Sequence, residues 1–105
     1  MSTRATLAIR RDDETFDAVY LHFDGYPEHA GQVLAKHHQT PERAAALIAG
    51  GDVRSLEADG TVERFADGNP PARQKDHDEL QRFARQTGAR YVYVFEDGKW
   101  SCKKH

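Results

Sequence analysis

The chain has 105 residues, of which 38% are hydrophobic and 30% charged, with five Phe, four Tyr and one Trp. This length allows one modest hydrophobic core and is too short for two ordinary domains, so residues 1–105 are expected to form a single domain. The formal net charge of -2 gives no overall attraction to nucleic-acid phosphates or to an anionic membrane, which makes nucleic acid the less favoured class of partner.

The cysteine content and the N-terminus indicate the cellular compartment. Cys102 is the single cysteine, which excludes an internal disulfide and suits a reducing environment. The opening MSTRATLAIRR lacks the apolar run of a signal peptide, and no stretch approaches the ~18 apolar residues that a membrane helix needs. These features predict a cytoplasmic protein with no membrane partner, and no motif calls for a cofactor.

The first 23 residues predict a β-hairpin. Apolar and polar side chains alternate over residues 5–10, which is the period of a strand with one buried face. The segment FDAVYLHF, residues 16–23, is rich in the aromatic and branched side chains that favour strands. Because the acidic link between the two segments is short, we expect the strands to pair antiparallel.

Two amphipathic helices are predicted next. Apolar side chains recur at helical spacing from Pro27 to about His38, and proline is well tolerated in a first helical turn. In the second helix Thr40 is the expected N-cap, Pro41 the first helical residue and Gly50 the end.

The middle of the chain is predicted to be irregular. One helical turn is expected from Asp52, followed by a short strand in TVERF, residues 61–65. The segment ADGNPPARQ, residues 66–74, contains two consecutive prolines and a glycine, which cannot hold a helix or a central strand. We therefore expect residues 66–74 to form a flexible loop.

The last third predicts a helix and a second hairpin. Asp76 with Glu79 three residues later indicates a capped helix start, and Gly88 its end. The strand ARYVYVF, residues 89–95, is apolar on both faces, and Asp97-Gly98 turns the chain back into a final strand. The fold class expected from all elements is α+β, with a single antiparallel sheet built from the N-terminal and C-terminal hairpins and covered on one face by about three helices.

The stretch HFDGYPEHAG, residues 22–31, holds the densest set of reactive side chains. One interpretation is structural: Asp24, Gly25, Tyr26 and Pro27 form a corner in which Asp24 accepts a local backbone hydrogen bond and Gly25 adopts a positive φ. The alternative is a metal-dependent enzyme that uses His22, Asp24 and His29, with His37 in reserve, to hold zinc or iron. The spacing of these residues matches no known ligand signature, which favours the corner.

Two further groups of side chains are candidate chemical sites. His37 falls on the apolar stripe of its helix, where a packed imidazole with one hydrogen bond is the usual arrangement, and His38 follows it. Cys102 would need a histidine and a low thiol pKa to be a nucleophile, and its alternation with Trp100 indicates a small buried side chain instead. No catalytic residue is assigned on these grounds.

A basic patch is predicted if the first and last strands are neighbours. Such a patch beside the aromatic side chains of the last hairpin would resemble a nucleic-acid platform, whereas charged strand edges that prevent aggregation are the more common case. The six residues of this predicted patch are Arg4, Arg10, Arg11, Lys99, Lys103 and Lys104.

Four segments of the chain carry a resemblance: MSTRAT, VYLHFDGYPEHAGQVLAKHH, LIAGGDVRSL and YVYVFEDGKW. Over residues 1–57 and 91–100 the chain resembles a family of small uncharacterised proteins of tailed phages and prophages, whose most specific motif is DGYP after a His-aromatic strand end. Relatives often carry Trp where this chain has Phe23, and residues 58–87 have no counterpart that we can place.

The resemblance implies a setting rather than a chemistry. Its family supplies no catalytic residues, and its members act inside a bacterial cell, where small accessory phage proteins often bind and block a host or defence protein. The function expected from it is therefore inhibitor-like protein binding in the bacterial cytoplasm. The metal-dependent enzyme and a weak nucleic-acid-binding module are the alternatives.

Overall fold

The computed structural model describes residues 3–105, so Met1 and Ser2 of the MSTRAT motif lie outside the described residues. Among residues 3–105, every helix is too short or too polar to span a lipid bilayer. The helices and strands of these residues are β1 Ala5–Arg10, β2 Phe16–Leu21, a π-helical turn Pro27–Gly31, α1 Gln32–His37, α2 Pro41–Ala49, β3 Val53–Leu56, β4 Val62–Arg64, β5 Ala72–Gln74, α3 His77–Thr87, β6 Tyr91–Glu96 and β7 Lys99–Lys104.

The seven strands of residues 3–105 form one open sheet in the order β4-β3-β2-β1-β6-β7, with β5 on the edge of β2 beside β3. Both predicted hairpins are confirmed, because β1 pairs antiparallel with β2 and β6 with β7. The hairpins join through β1 and β6, which run parallel, and β3 also joins β2 in parallel. The α+β class is thus confirmed, and the sheet is mixed, mostly antiparallel.

The helices cover both faces of the sheet, which differs from the expected cover on one face. The π-helical turn, α1 and α2 pack on the face that carries Leu7, Val19 and Tyr93. Helix α3 packs on the opposite face, against small and branched side chains that include Ala18 and Val92. The second helix layer follows from the pattern of β6, because a strand that is apolar on both faces must be covered on both.

Three local predictions are corrected by the structure. The expected helical turn from Asp52 is absent among the described residues, since Val53–Leu56 is strand β3. The end of the expected loop, Ala72–Gln74, is strand β5, which pairs with β2. The first helix begins with the π-helical turn at Pro27–Gly31 instead of regular α-helix.

Both predicted helix caps are confirmed. The Thr40 hydroxyl accepts a hydrogen bond from the backbone N–H of Arg43 at 3.2 Å. The Asp76 carboxylate accepts one from the N–H of Glu79 at 3.0 Å, and Glu79 in return accepts from the N–H of Lys75 at 2.7 Å. These side chains satisfy donors that a helix start otherwise leaves unpaired.

Candidate functional site

The corner after β2 is closed by backbone contacts. The N–H of Gly25 donates to the carbonyl of Thr3 at 2.8 Å, and the buried hydroxyl of Tyr93 donates to the carbonyl of Gly25 at 2.7 Å. A Cβ on Gly25 would lie 2.7 Å from the Cβ of Ala5, so the residue is required for close approach to β1. The expected positive φ occurs at Asp24 (55°), not at Gly25. Aspartate tolerates this conformation, and its carboxylate accepts no hydrogen bond from residues 3–105, contrary to expectation.

The candidate metal ligands are not brought together. The Nδ1 of His22 is hydrogen-bonded to the hydroxyl of Tyr20, and the Nε2 of His29 bonds to the carbonyl of Leu56 at 2.6 Å. His37 packs beneath Gly60, in the turn between β3 and β4. Across the described residues, no group of three or more His, Cys, Asp or Glu side chains has the geometry to hold a metal ion.

The two histidines at the end of α1 have structural contacts. His38, rather than His37, has the single imidazole hydrogen bond, from Nε2 to the carbonyl of Gly60 at 3.1 Å. Burial lowers the pKa of His38, and its own carbonyl accepts from the indole N–H of Trp100 at 2.8 Å. The Nε2 of His37 is buried without a partner among residues 3–105. The pair therefore joins α1 to the β3–β4 turn and to β7.

Cys102 is exposed rather than buried in the core, because β7 is an edge strand. Partial burial of the sulfur raises the pKa of its thiol, with an opposing contribution from Tyr93. A raised thiol pKa reduces the thiolate fraction, so the environment does not activate Cys102 as a nucleophile.

The predicted basic patch does not form, because β6 lies between β1 and β7. Arg10 and Lys99 lie at one end of the sheet, and Arg4, Lys103 and Lys104 lie toward the other, about 13–20 Å away along the strands. Arg10 forms ion pairs with Glu14 and Glu96, and Arg11 with Asp17.

A different set of basic residues, three arginines and two histidines, crosses the sheet. Leu21 pairs with Ala5, and Ala5 with Tyr91, so the residues just beyond them, His22, Arg4 and Arg90, lie abreast. Hydrogen bonds from Arg90 N to the Arg4 carbonyl and from His105 N to the Arg90 carbonyl, at 2.8 and 2.7 Å, extend this alignment. We call the five aligned residues the cationic row, after its three arginines: Arg54, His22, Arg4, Arg90 and His105. At a strand spacing of about 4.8 Å, the row spans about 19 Å.

The arginines of the cationic row carry unneutralised charge. Arg4, Arg54 and Arg90 are exposed, and none of them forms an ion pair with any residue from 3 to 105. The guanidinium of Arg54 lies over the ring of Phe23, 5.5 Å from its centroid. Asp24, the acidic residue next to this end of β2, also forms no ion pair within the described chain.

Acidic residues concentrate at the opposite end of the sheet. This end holds the β1–β2 and β6–β7 turns and the start of α3, where the rings of Phe16 and His77 are 4.9 Å apart. The net charge of -2 therefore conceals a separation of charge along the strands, and it does not describe either end. Nine of the 17 acidic residues lie at this end: Asp12, Asp13, Glu14, Asp17, Asp76, Asp78, Glu79, Glu96 and Asp97.

Aromatic rings and a cleft adjoin the cationic row. The rings of Tyr20 and Phe65 are nearly parallel, at 9°, with centroids 6.4 Å apart, and His22 meets the Phe65 ring edge-on. A cleft of about 370 Å³ opens beside Tyr20. Its lining residues are Tyr20, Asp52, Asn69, Pro70, Ala72, Phe83 and Thr87.

The cleft lies where the edge of β2 has no neighbouring strand. Strand β5 pairs with β2 up to Ala18, and β3 pairs with it at Leu21. Between them, Asp52 accepts from the N–H of Tyr20 at 3.1 Å and from the N–H of Asn69 at 3.2 Å. The first bond satisfies the Tyr20 N–H at the strand edge, and the second fixes the loop that forms one wall of the cleft.

Sequence reasoning identified Arg4 and His22 but missed Arg54, Arg90, His105 and Phe65. Arg4 directly precedes one predicted strand and Arg90 lies at the start of another, which is a signal, but only the parallel pairing of β1 with β6 makes the two residues neighbours. No protein-family model, curated protein or solved structure matches the chain.

Proposed function

We propose that this protein acts by binding another macromolecule through the cationic row and the rings of Tyr20 and Phe65 beside it. The observation that carries this proposal is the set of exposed arginines without ion pairs at one end of the sheet, while acids concentrate at the other. Arginine and aromatic side chains are enriched at protein interfaces, and uncompensated cations favour a partner with carboxylates or phosphates. The partner is thus an anionic surface.

The setting of the proposal comes from the resemblance to phage and prophage proteins. In that setting the protein acts in the cytoplasm of a bacterial host, and its partner is a host or defence protein that it inhibits. A nucleic-acid partner is the second candidate, because aromatic rings next to unpaired arginines are also the elements of a single-strand binding surface. The metal-dependent enzyme receives no support from the positions of His22, Asp24, His29 and His37.

Capture from a bacterial lysate tests the proposal. The tagged chain is compared with a row variant, Arg4→Glu/Arg90→Glu, and a control variant, Lys36→Glu/Lys99→Glu, which has the same change in net charge. Lys36 and Lys99 are exposed cations away from the row, on α1 and at the acidic end of the sheet. We expect the parent and the control variant to retain one stoichiometric partner that the row variant loses.

Two results would contradict the proposal: no stoichiometric partner from several hosts, or equal recovery by the row and control variants. Treating half of each lysate with nuclease separates the two candidates. A protein partner survives this treatment, whereas a partner held through nucleic acid is lost.

A further inference from the structure

The walls of the cleft beside Tyr20 suit a flat ring. Tyr20, Pro70, Ala72 and Phe83 give it apolar surfaces, and its volume of about 370 Å³ lies within the usual range for small-molecule sites. Aromatic and proline rings bind planar groups through their faces. When the planar group is a nucleic-acid base, such stacking does not depend on which base it is.

The polar groups in the cleft leave one side chain available to a ligand. The hydroxyl of Thr87 donates within α3, to the carbonyls of Phe83 and Ala84 at 3.0 and 3.2 Å. Each carboxylate oxygen of Asp52 already accepts one backbone N–H. The side-chain amide of Asn69 forms no hydrogen bond with residues 3–105, so both its donor and its acceptor are available to the edge of a base.

Arg4 supplies charge at the mouth of the cleft. The Nη1 atom of Arg4 lies 3.0 Å from the position that a Cβ on Gly88 would take, and Gly88 is next to Thr87 of the cleft wall. Burial raises the pKa of the Tyr20 hydroxyl, and the positive charge of Arg4 partly opposes this shift. Arg90 is the next residue of the cationic row, about one strand spacing away. The carboxylate of Asp52 within the cleft repels an anion, so a ligand with a ring and an anionic group would enter ring first.

We infer that this cleft holds the base of a nucleotide, with the nucleotide's phosphate on Arg4 and Arg90 and its base edge on the amide of Asn69. The site goes beyond the proposed function, because a protein could bind the cationic row without filling the cleft. The same chemistry is presented by a free nucleotide and by a base turned out of single-stranded nucleic acid.

Fluorescence anisotropy with labelled ten-nucleotide DNA and RNA, competed by AMP and UMP, tests the site. We expect Arg4→Gln/Arg90→Gln to weaken oligonucleotide binding by about tenfold or more and to reduce the slope of log Kd against log salt by about one for each lost phosphate contact. Asn69→Ala should weaken binding several-fold without changing that slope, because it removes a base contact and no charge. Phe83→Leu should do the same by weakening the stacking wall.

The controls make each outcome decisive. Lys36→Gln/Lys99→Gln removes the same charge as the arginine variant and should leave binding unchanged. Asn69→Ala removes a side chain without hydrogen bonds in the described chain, so its result stands even if Phe83→Leu unfolds. If AMP competes with an affinity equal to that of the oligonucleotide, a free nucleotide is the ligand. If the oligonucleotide binds at least tenfold more tightly than AMP, single-stranded nucleic acid is the ligand.

Three results would overturn the inference. They are the absence of binding to every nucleotide probe, unchanged affinity in Asn69→Ala, and equal competition by poly-glutamate of matched charge. Either of the last two results would mean that the cationic row binds anions in general and that the cleft holds no base. The capture from lysate tests that binding separately. Absence of nucleotide binding together with a captured protein partner would reject the nucleotide site and retain the proposed function.

Discussion

Replacing Gly25 by alanine places a methyl group where β1 leaves no room for it. The new Cβ would lie 2.7 Å from the Cβ of Ala5 and 2.8 Å from the carbonyl oxygen of Thr3. Carbon atoms in ordinary contact are about 3.5–4.0 Å apart, so the corner and the strand must separate by about 1 Å. Thr3 also accepts the Gly25 N–H at 2.8 Å, and this bond would lengthen as they separate.

The expected cost of Gly25→Ala is about 2 kcal/mol, within the usual range for overpacking of about 1–3 kcal/mol. In urea denaturation, with an m-value of about 2 kcal/mol per M, this cost lowers the midpoint by about 1 M. Because small domains have only about 5–15 kcal/mol of stability, the shift is easily measured by circular dichroism.

Gly31→Ala is the matched control. Its new Cβ would meet its nearest neighbours at 3.7 Å, which is ordinary contact, and its backbone is already helical with φ -59°. Alanine is favoured over glycine in such a position by about 0.5–1 kcal/mol, so the midpoint should rise. Equal midpoints for the two alanine variants would refute the argument from close approach, as would an unchanged midpoint in Gly25→Ala.

Two further variants test contacts that join distant parts of the chain. Tyr93→Phe leaves the carbonyl of Gly25 without its buried donor and should lower the free energy of unfolding by about 1–3 kcal/mol, as measured by urea denaturation. An unchanged free energy of unfolding would show that this hydrogen bond is not stabilising. Burial holds the pKa of His38 below its ordinary value of 6.5, so the unfolded chain binds this proton more readily. The contribution of neutral His38 to stability should be complete above pH 6.5 and be lost as the pH falls through the folded pKa. Between pH 8 and pH 5, the free energy of unfolding should therefore fall less in His38→Gln than in the parent protein. Parallel pH curves for the two proteins would contradict this assignment.

Local patterns predicted most of the elements but not their arrangement. The strand patterns of β1 and β6 and the caps at Thr40 and Asp76 depend on near neighbours in sequence, and the structure confirms these elements. The single buried face expected of β1 is wrong, because residues 5–8 are all buried and the strand is therefore covered on both faces. The Asp52 segment was predicted wrongly because its strand conformation depends on pairing with β2 and β4 rather than on its own four residues. Helix α3 lies on the second face because both faces of β6 are apolar, a pattern that the sequence already contains.

The candidate site shows the same division between local and long-range information. The sequence by itself determined which residues carry charge, which rings are aromatic and where strands begin, because these properties belong to each residue and its neighbours. Only the tertiary structure decided which cations share one end of the sheet. That outcome depends on the parallel pairing of β1 with β6, between strands from opposite ends of the chain. A register change of one residue would move Arg90 to the other face of the sheet, since strand side chains alternate with a period of two. The cationic row is therefore a property of the register, and the register is selected by the burial of Leu7, Val19 and Tyr93 in one shared core.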